Sequence, residues 1–153
     1  MPTTHLAILT DPWLDLILDG HKTIETRISK VKLPPYEAVA VGDHVLMKQS
    51  GGPIKGAFEI EQIETYHADS NLDKLVFDEV FRENARQIYG FQEVMYAHRD
   101  ALEKKWCESK YATFMHVENV QRYDPDIPIK KTNRLAWVVL GDGTAAEWLD
   151  RLP

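Results

Sequence analysis

Apolar positions along the chain first alternate with a period of two, then recur at three and four residues through the middle, and return to alternation before the end. This pattern predicts strands on both sides of a helical insert. Positions 5–9 read as a short apolar strand. Asp11 then stands where it can cap a helix whose first residue is Pro12, a place where the missing N–H costs nothing. Trp13, Leu14, Ile17 and Leu18 give that helix one apolar face up to Asp19, and Gly20 offers the left-handed residue that ends it. The β-branched Thr23, Ile24, Thr26 and Ile28 make 22–28 a strand despite its charges. Pro34 and Pro35 cannot continue a ladder, so 29–41 is expected to be a loop with Lys30 and Lys32 solvated. Gly42 and Asp43 mark a turn. Beyond it, 44–49 and 54–66 read as a hairpin joined through Ser50, Gly51, Gly52 and Pro53, with Gly56 expected to serve the same turn.

From Leu72 onward, Leu72, Leu75, Val76 and Val80, with the offset set Phe77, Phe81 and Ile88, predict a broad apolar helix face ending at Gly90. A second helix is expected over 91–108. Strand character returns at 111–123 and 135–140, divided by a loop that carries Pro125 and Pro128. Thr144 and Glu147 have capping-box spacing for a closing helix. The whole reads as one α+β domain over 1–153, a meander or barrel interrupted by helices at about 71–109.

The chain's 153 residues, 44% of them apolar, are enough for one core. Asp and Glu number 24 against 18 Lys and Arg, a formal charge of -6, so a polyanion could be held only by a local basic site. Cys107 is the single cysteine, which excludes an intrachain disulfide and a cysteine zinc cluster and suits a reducing compartment. With no basic segment leading into an apolar run and no run of 18 apolar residues, the expectation is a cytoplasmic protein without membrane contact.

The densest chemistry lies in Gly20, His21, Lys22, Thr23, Ile24, Glu25, Thr26 and Arg27. Three charged side chains crowd a segment that otherwise favours burial. On an ideal strand Glu25 and Arg27 share one face with Thr23, and Lys22 points the other way. If Lys22 instead belongs to the turn before the strand, a cation, a carboxylate and a planar bidentate donor surround one small space. Such a set can hold a phosphate or read a nucleobase edge. A surface ion pair guarding an edge strand is the competing account. The spacing Gly20-x-Lys22-x-x-Glu25-x-Arg27 resembles the GxKxxExR signature of the ASCH domain family, and the helix before it and the Gly42-Asp43 turn after it are similar too.

That resemblance implies a PUA-like mixed β-barrel with a short N-terminal helix, a central two-helix insert and a capped C-terminal helix. It implies RNA or a modified nucleoside or nucleotide as partner. Lys22 and Glu25 become candidate catalytic residues; Arg27, Thr23, Tyr36, Lys48, Lys55 and Arg134 become candidate binding residues. The leading expectation is RNA binding or processing in a basic cleft, drawing on Lys30, Lys32, Lys130 and Lys131 as well, with aromatic stacking from Tyr36 and, if exposed, Trp13, Tyr123 or Trp137. Ribonuclease action would add a divalent ion as cofactor; otherwise none is expected. The alternative is an amidohydrolase of N4-acylated cytidines. Here the chain departs from the family pattern, because members similar to such enzymes carry Thr where Glu25 stands, so Glu25 would have to activate water. A non-catalytic interaction module docking through the insert is a third possibility.

Several other signals carry little. His116 and Glu118 share a strand face but do not define a metal site. His98-Arg99-Asp100 lacks the rest of a kinase catalytic loop. Cys107 beside Trp106 reads as a half-buried packing residue.

Overall fold

The computed structural model describes residues 1–130 and 133–152. Its elements run in order β1 (Thr3–Leu9), α1 (Trp13–Leu18), β2 (Ile24–Ser29), β3 (His44–Gln49), β4 (Ile54–His67), α2 (Asn71–Glu83), α3 (Ala85–Tyr89), α4 (Gln92–Cys107), β5 (Tyr111–Ile127), β6 (Trp137–Asp142) and α5 (Ala145–Leu149). The strands form one sheet in the order β2-β5-β4-β3-β1-β6. β1 pairs parallel with β3, and the other neighbours run antiparallel, so the expected mixed α+β class holds.

The sheet curls without closing. Register shifts break the β4–β5 ladder at three points, and such bulges bend long strands. The two edges of the sheet then meet through one side chain. Arg27 on β2 donates from Nη2 to the carbonyl of Ile8 on β1 at 2.9 Å and from Nη1 to the carbonyl of Ala136, just before β6, at 3.3 Å. The expected barrel is therefore an incomplete one, latched by an arginine.

Alternation sorts the strands into two faces. Ala7, Val45, Met47 and Phe58 pack with Leu14 and Ile17 of α1. Leu6, Leu46 and Ala57 face the other way, onto Ala145 of α5. The capping box of α5, Thr144 with Glu147, forms as its spacing predicts. The helical insert makes a third cluster, with Phe77, Ile88, Tyr89 and Trp106 against Ile24, Ile28, Ala112 and Phe114. Among the described residues no helix is long and apolar enough to cross a membrane.

Several expectations need correction. Pro12 takes the N-cap position of α1 with no side-chain cap, because its ring carries no acceptor; Asp11, one residue too early, caps nothing. The insert has three helices, broken at Asn84, whose side chain turns back to the Val80 carbonyl. Leu72, Leu75 and Val76 lie exposed, because the larger Phe77 and Phe81 take the inner face of α2. β5 continues through Pro125, which falls in the irregular stretch between the Arg122 and Ile127 pairings, where no ladder N–H is needed. Gly56 lies within β4, where a Cβ would come within 2.4 Å of the Gln121 carbonyl. Cys107 is exposed, while its neighbour Trp106 is buried.

The Gly42-Asp43 turn is tied into the core. Asp43 Oδ1 accepts from Thr3 N at 3.1 Å, and Oδ2 accepts from Ala40 N and from His5 Nε2, both at 2.9 Å. Trp137 Nε1 donates to His5 Nδ1 at 3.2 Å, which sets the His5 tautomer with its proton on Nε2. Asp43→Asn would turn an amide NH2 toward a buried donor whichever way it faced. Such a mismatch costs about 2–4 kcal/mol. A urea denaturation midpoint should fall accordingly, and an unchanged midpoint would show that the network contributes nothing.

Candidate functional site

Lys22 enters the interior because of how α1 ends. Gly20 adopts φ +82°, and the amides of His21 and Lys22 both bond the Leu16 carbonyl, at 2.9 and 3.0 Å. The strand begins only at Ile24, so Lys22 lies in the turn. Its side chain is 3% exposed. Nζ donates to the carbonyl of Ile24 at 2.7 Å and to that of Ile88, on α3, at 2.6 Å. An ammonium has three protons, which leaves one for Glu25 or a ligand. Glu25 Oε1 lies 3.8 Å away, and the Trp13 ring centroid 5.1 Å. Burial lowers the Lys22 pKa to about 8; attraction to Glu25 opposes this and repulsion from Arg27 adds to it.

Glu25 is buried as well. Its Oε1 accepts from Thr26 N at 2.9 Å, and its Oε2 lies 3.4 Å from Arg27 Nη2. Glu25 and Arg27 share a face of β2, as alternation requires, and Arg27 also stands over the Trp137 ring at 5.3 Å. These groups border a cavity of about 210 Å³, walled further by Leu9, Trp13 and Thr26 and by Ile88, Leu102 and Lys105 of the insert. Its volume suits one small molecule. Trp13 is held in place by tilted contacts with Tyr89 and His98. The insert thus builds one wall of the site.

The other candidate residues are placed differently. Thr23 is exposed, its N–H bonded to Gln87 and its carbonyl to Val117; Thr26, not Thr23, reaches the cavity. Tyr36 borders a neighbouring cleft. Lys48 is buried and donates to the Gln49 carbonyl, Lys55 is half-buried and Arg134 is exposed, and none of the three borders the Lys22 cavity. Lys30 pairs with Glu108 and Lys32 with Glu37, while Lys131 lies outside the described residues. Among the described residues, the basic ones expected to form a groove thus lie apart from the Lys22 cavity, Arg27 excepted. His116 lies 3.4 Å from Glu64, and among the described residues no three potential metal ligands gather.

Leu102 and Lys105 carried no signal in the sequence. Only the packing of α4 brings them to Lys22.

No protein-family model and no curated protein sequence matches the chain. Solved structures do share its fold. The ASCH protein of Zymomonas mobilis aligns at 15% identity over 90% of this chain and 87% of that one, with a TM-score of 0.62. A Tyr-to-Phe variant of that protein aligns over 98% and 99% at 13% identity, with a TM-score of 0.66. The N-terminal domain of McrB from Staphylothermus marinus aligns over 81% and 75% at 11% identity, with a TM-score of 0.50. At such identities the likeness is one of fold.

Proposed function

We propose, from the premise that this chain has the ASCH fold, that the Lys22 cavity receives a single base of RNA or of a modified nucleoside. The observation that carries this reading is the convergence of a buried ammonium, a buried carboxylate and a guanidinium on a space of about 210 Å³ beside an indole ring. A nucleobase edge presents donors beside acceptors. The free lone pairs of Glu25 suit an exocyclic amine or ring N–H, and the remaining Lys22 proton suits a ring nitrogen or carbonyl. Trp13 supplies a stacking face. With a net charge of -6 and with Lys30 and Lys32 already paired, affinity would come from the pocket and not from a long phosphate track.

Calorimetric titration of cytidine, N4-acetylcytidine and a short single-stranded RNA tests this. Saturable binding of at least one is expected, with mutual competition among those that bind. No binding by any would refute it.

A second reading rests on the buried contact between Lys22 and Glu25. With an N4-acylcytidine bound, Glu25 would take a proton from water as the water oxygen attacks the acyl carbon. Lys22 would stabilise the oxyanion, and collapse would break the C–N4 bond while Glu25 returned the proton to N4, giving cytidine and a carboxylic acid. Glu25→Gln would then cost about 10²–10⁴-fold in turnover. Chromatographic release of cytidine measures it. Cleavage of RNA dependent on magnesium or manganese in the same assay would instead favour a ribonuclease.

A further inference from the structure

The Lys22 cavity has a neighbour. A cleft of about 520 Å³ lies where the sheet fails to close, between β2 and β6, bordered by the 33–36 loop, Tyr111, Thr113 and Trp137. Two side chains border both spaces, Arg27 and Lys105. Lys105 is exposed and has no carboxylate partner among the described residues. Thr113 stands opposite Arg27 in the β2–β5 register, is 1% exposed, and its Oγ1 has no hydrogen-bond partner. A buried hydroxyl without a partner at the wall of a cleft calls for a polar group that the fold itself does not provide. Tyr36 and Tyr111 meet edge to face at 5.0 Å, and Tyr111 is held by a parallel stack on His67. The cleft is thus aromatic at its sides, polar at Thr113, and cationic where it meets the first cavity.

We infer that the ligand is a single-stranded RNA segment occupying two compartments: one base beside Lys22 and Glu25, the intervening phosphate between Arg27 and Lys105, and the next nucleotide in the sheet-edge cleft against Tyr36 and Thr113. This rests on the nucleobase reading of the first cavity and extends it. The fold's own use of Arg27 supports the arrangement, because its bonds to Ile8 and Ala136 fix a guanidinium at the junction before any ligand arrives. A planar aromatic group accepts any base, so the second compartment favours length over sequence.

The experiment compares a mononucleoside with a dinucleoside monophosphate, titrated into wild type, Tyr36→Ala, Thr113→Val and Lys105→Ala. The wild type should bind the dinucleotide at least 10-fold more tightly. Tyr36→Ala and Thr113→Val should remove most of that advantage and leave mononucleoside affinity unchanged. Thr113→Val is nearly isosteric and removes a hydroxyl the fold does not use, so it keeps the test informative should Tyr36→Ala perturb its loop. Added salt should weaken dinucleotide binding by screening its single phosphate while leaving mononucleoside binding nearly unchanged, and Lys105→Ala should reduce that salt dependence. Equal affinity for both ligands, or an advantage untouched by all three variants, overturns the second compartment while leaving the first. Failure of the wild type to bind either ligand overturns both.

Discussion

Lys22→Met should lower ligand affinity by roughly 10- to 100-fold while leaving the protein folded. The binding loss corresponds to one hydrogen bond from a charged donor, about 1.5–3 kcal/mol. Stability after this substitution is set by a balance of opposing effects. Burial lowers the Lys22 pKa from 10.5 to about 8, a difference of about 2.5, and at 1.36 kcal/mol for each unit this penalises the buried ammonium by about 3 kcal/mol. Methionine of similar shape removes that penalty. It also removes charge-assisted bonds to the Ile24 and Ile88 carbonyls, each contributing about 1.5–3 kcal/mol. The net loss is about 0–3 kcal/mol, below the 3–5 kcal/mol typical of a broken buried pair, because Glu25 keeps Arg27 and the Thr26 amide. Circular dichroism with parallel calorimetric titration checks both halves. Intact binding in a folded Lys22→Met protein would remove Lys22 from the site.

The second large effect is a rise in stability with alkaline pH. Between about pH 8 and 10.5 the folded protein has lost the Lys22 proton while the unfolded chain retains its own. The unfolded state then binds more protons, so stability increases with pH. The penalty on the charged form is in full force below pH 8 and is relieved through this window, by about 2–3 kcal/mol up to pH 10. Above that, tyrosines reverse the trend. Burial raises the pKa values of Tyr66, Tyr89 and Tyr123, that of Tyr89 to about 12, so these stay protonated in the folded state while the unfolded chain ionises. Urea melts should therefore show a maximum near pH 10, absent in Lys22→Met. Ligand affinity should run the other way, falling as pH passes 8 and the ammonium is lost. A wild-type stability profile flat from pH 7 to 10 would contradict the buried cation.

The reach of the sequence followed the range of the interactions. Lys22, Glu25 and Arg27 were legible because their arrangement is local: a glycine-ended helix turn orients the first, and strand alternation places the other two together. The capping box of α5 was legible for the same reason. The wall supplied by Ile88, Leu102 and Lys105 was not, since the Ile88 carbonyl that accepts the hydrogen bond from Lys22 lies 66 residues away. Periodicity revealed helices in the insert but misjudged the inner face of α2, where aromatic bulk at Phe77 and Phe81 prevails over the smaller Leu72, Leu75 and Val76. Nor could spacing show that Arg27 latches two sheet edges, because both acceptors are backbone carbonyls that no side-chain pattern reveals.

The central claim is that the space around Lys22, Glu25 and Arg27 holds a nucleobase. Amide chemical-shift mapping of the labelled protein during titration with a short single-stranded RNA tests it most directly. Perturbations are expected at Trp13, Lys22 to Arg27, Ile88 and Leu102 to Lys105, with a further set at Tyr36 and Tyr111 to Thr113 where the second nucleotide lies. Perturbations confined to Lys48, Lys55 and Lys130, or none at saturating RNA, would contradict it.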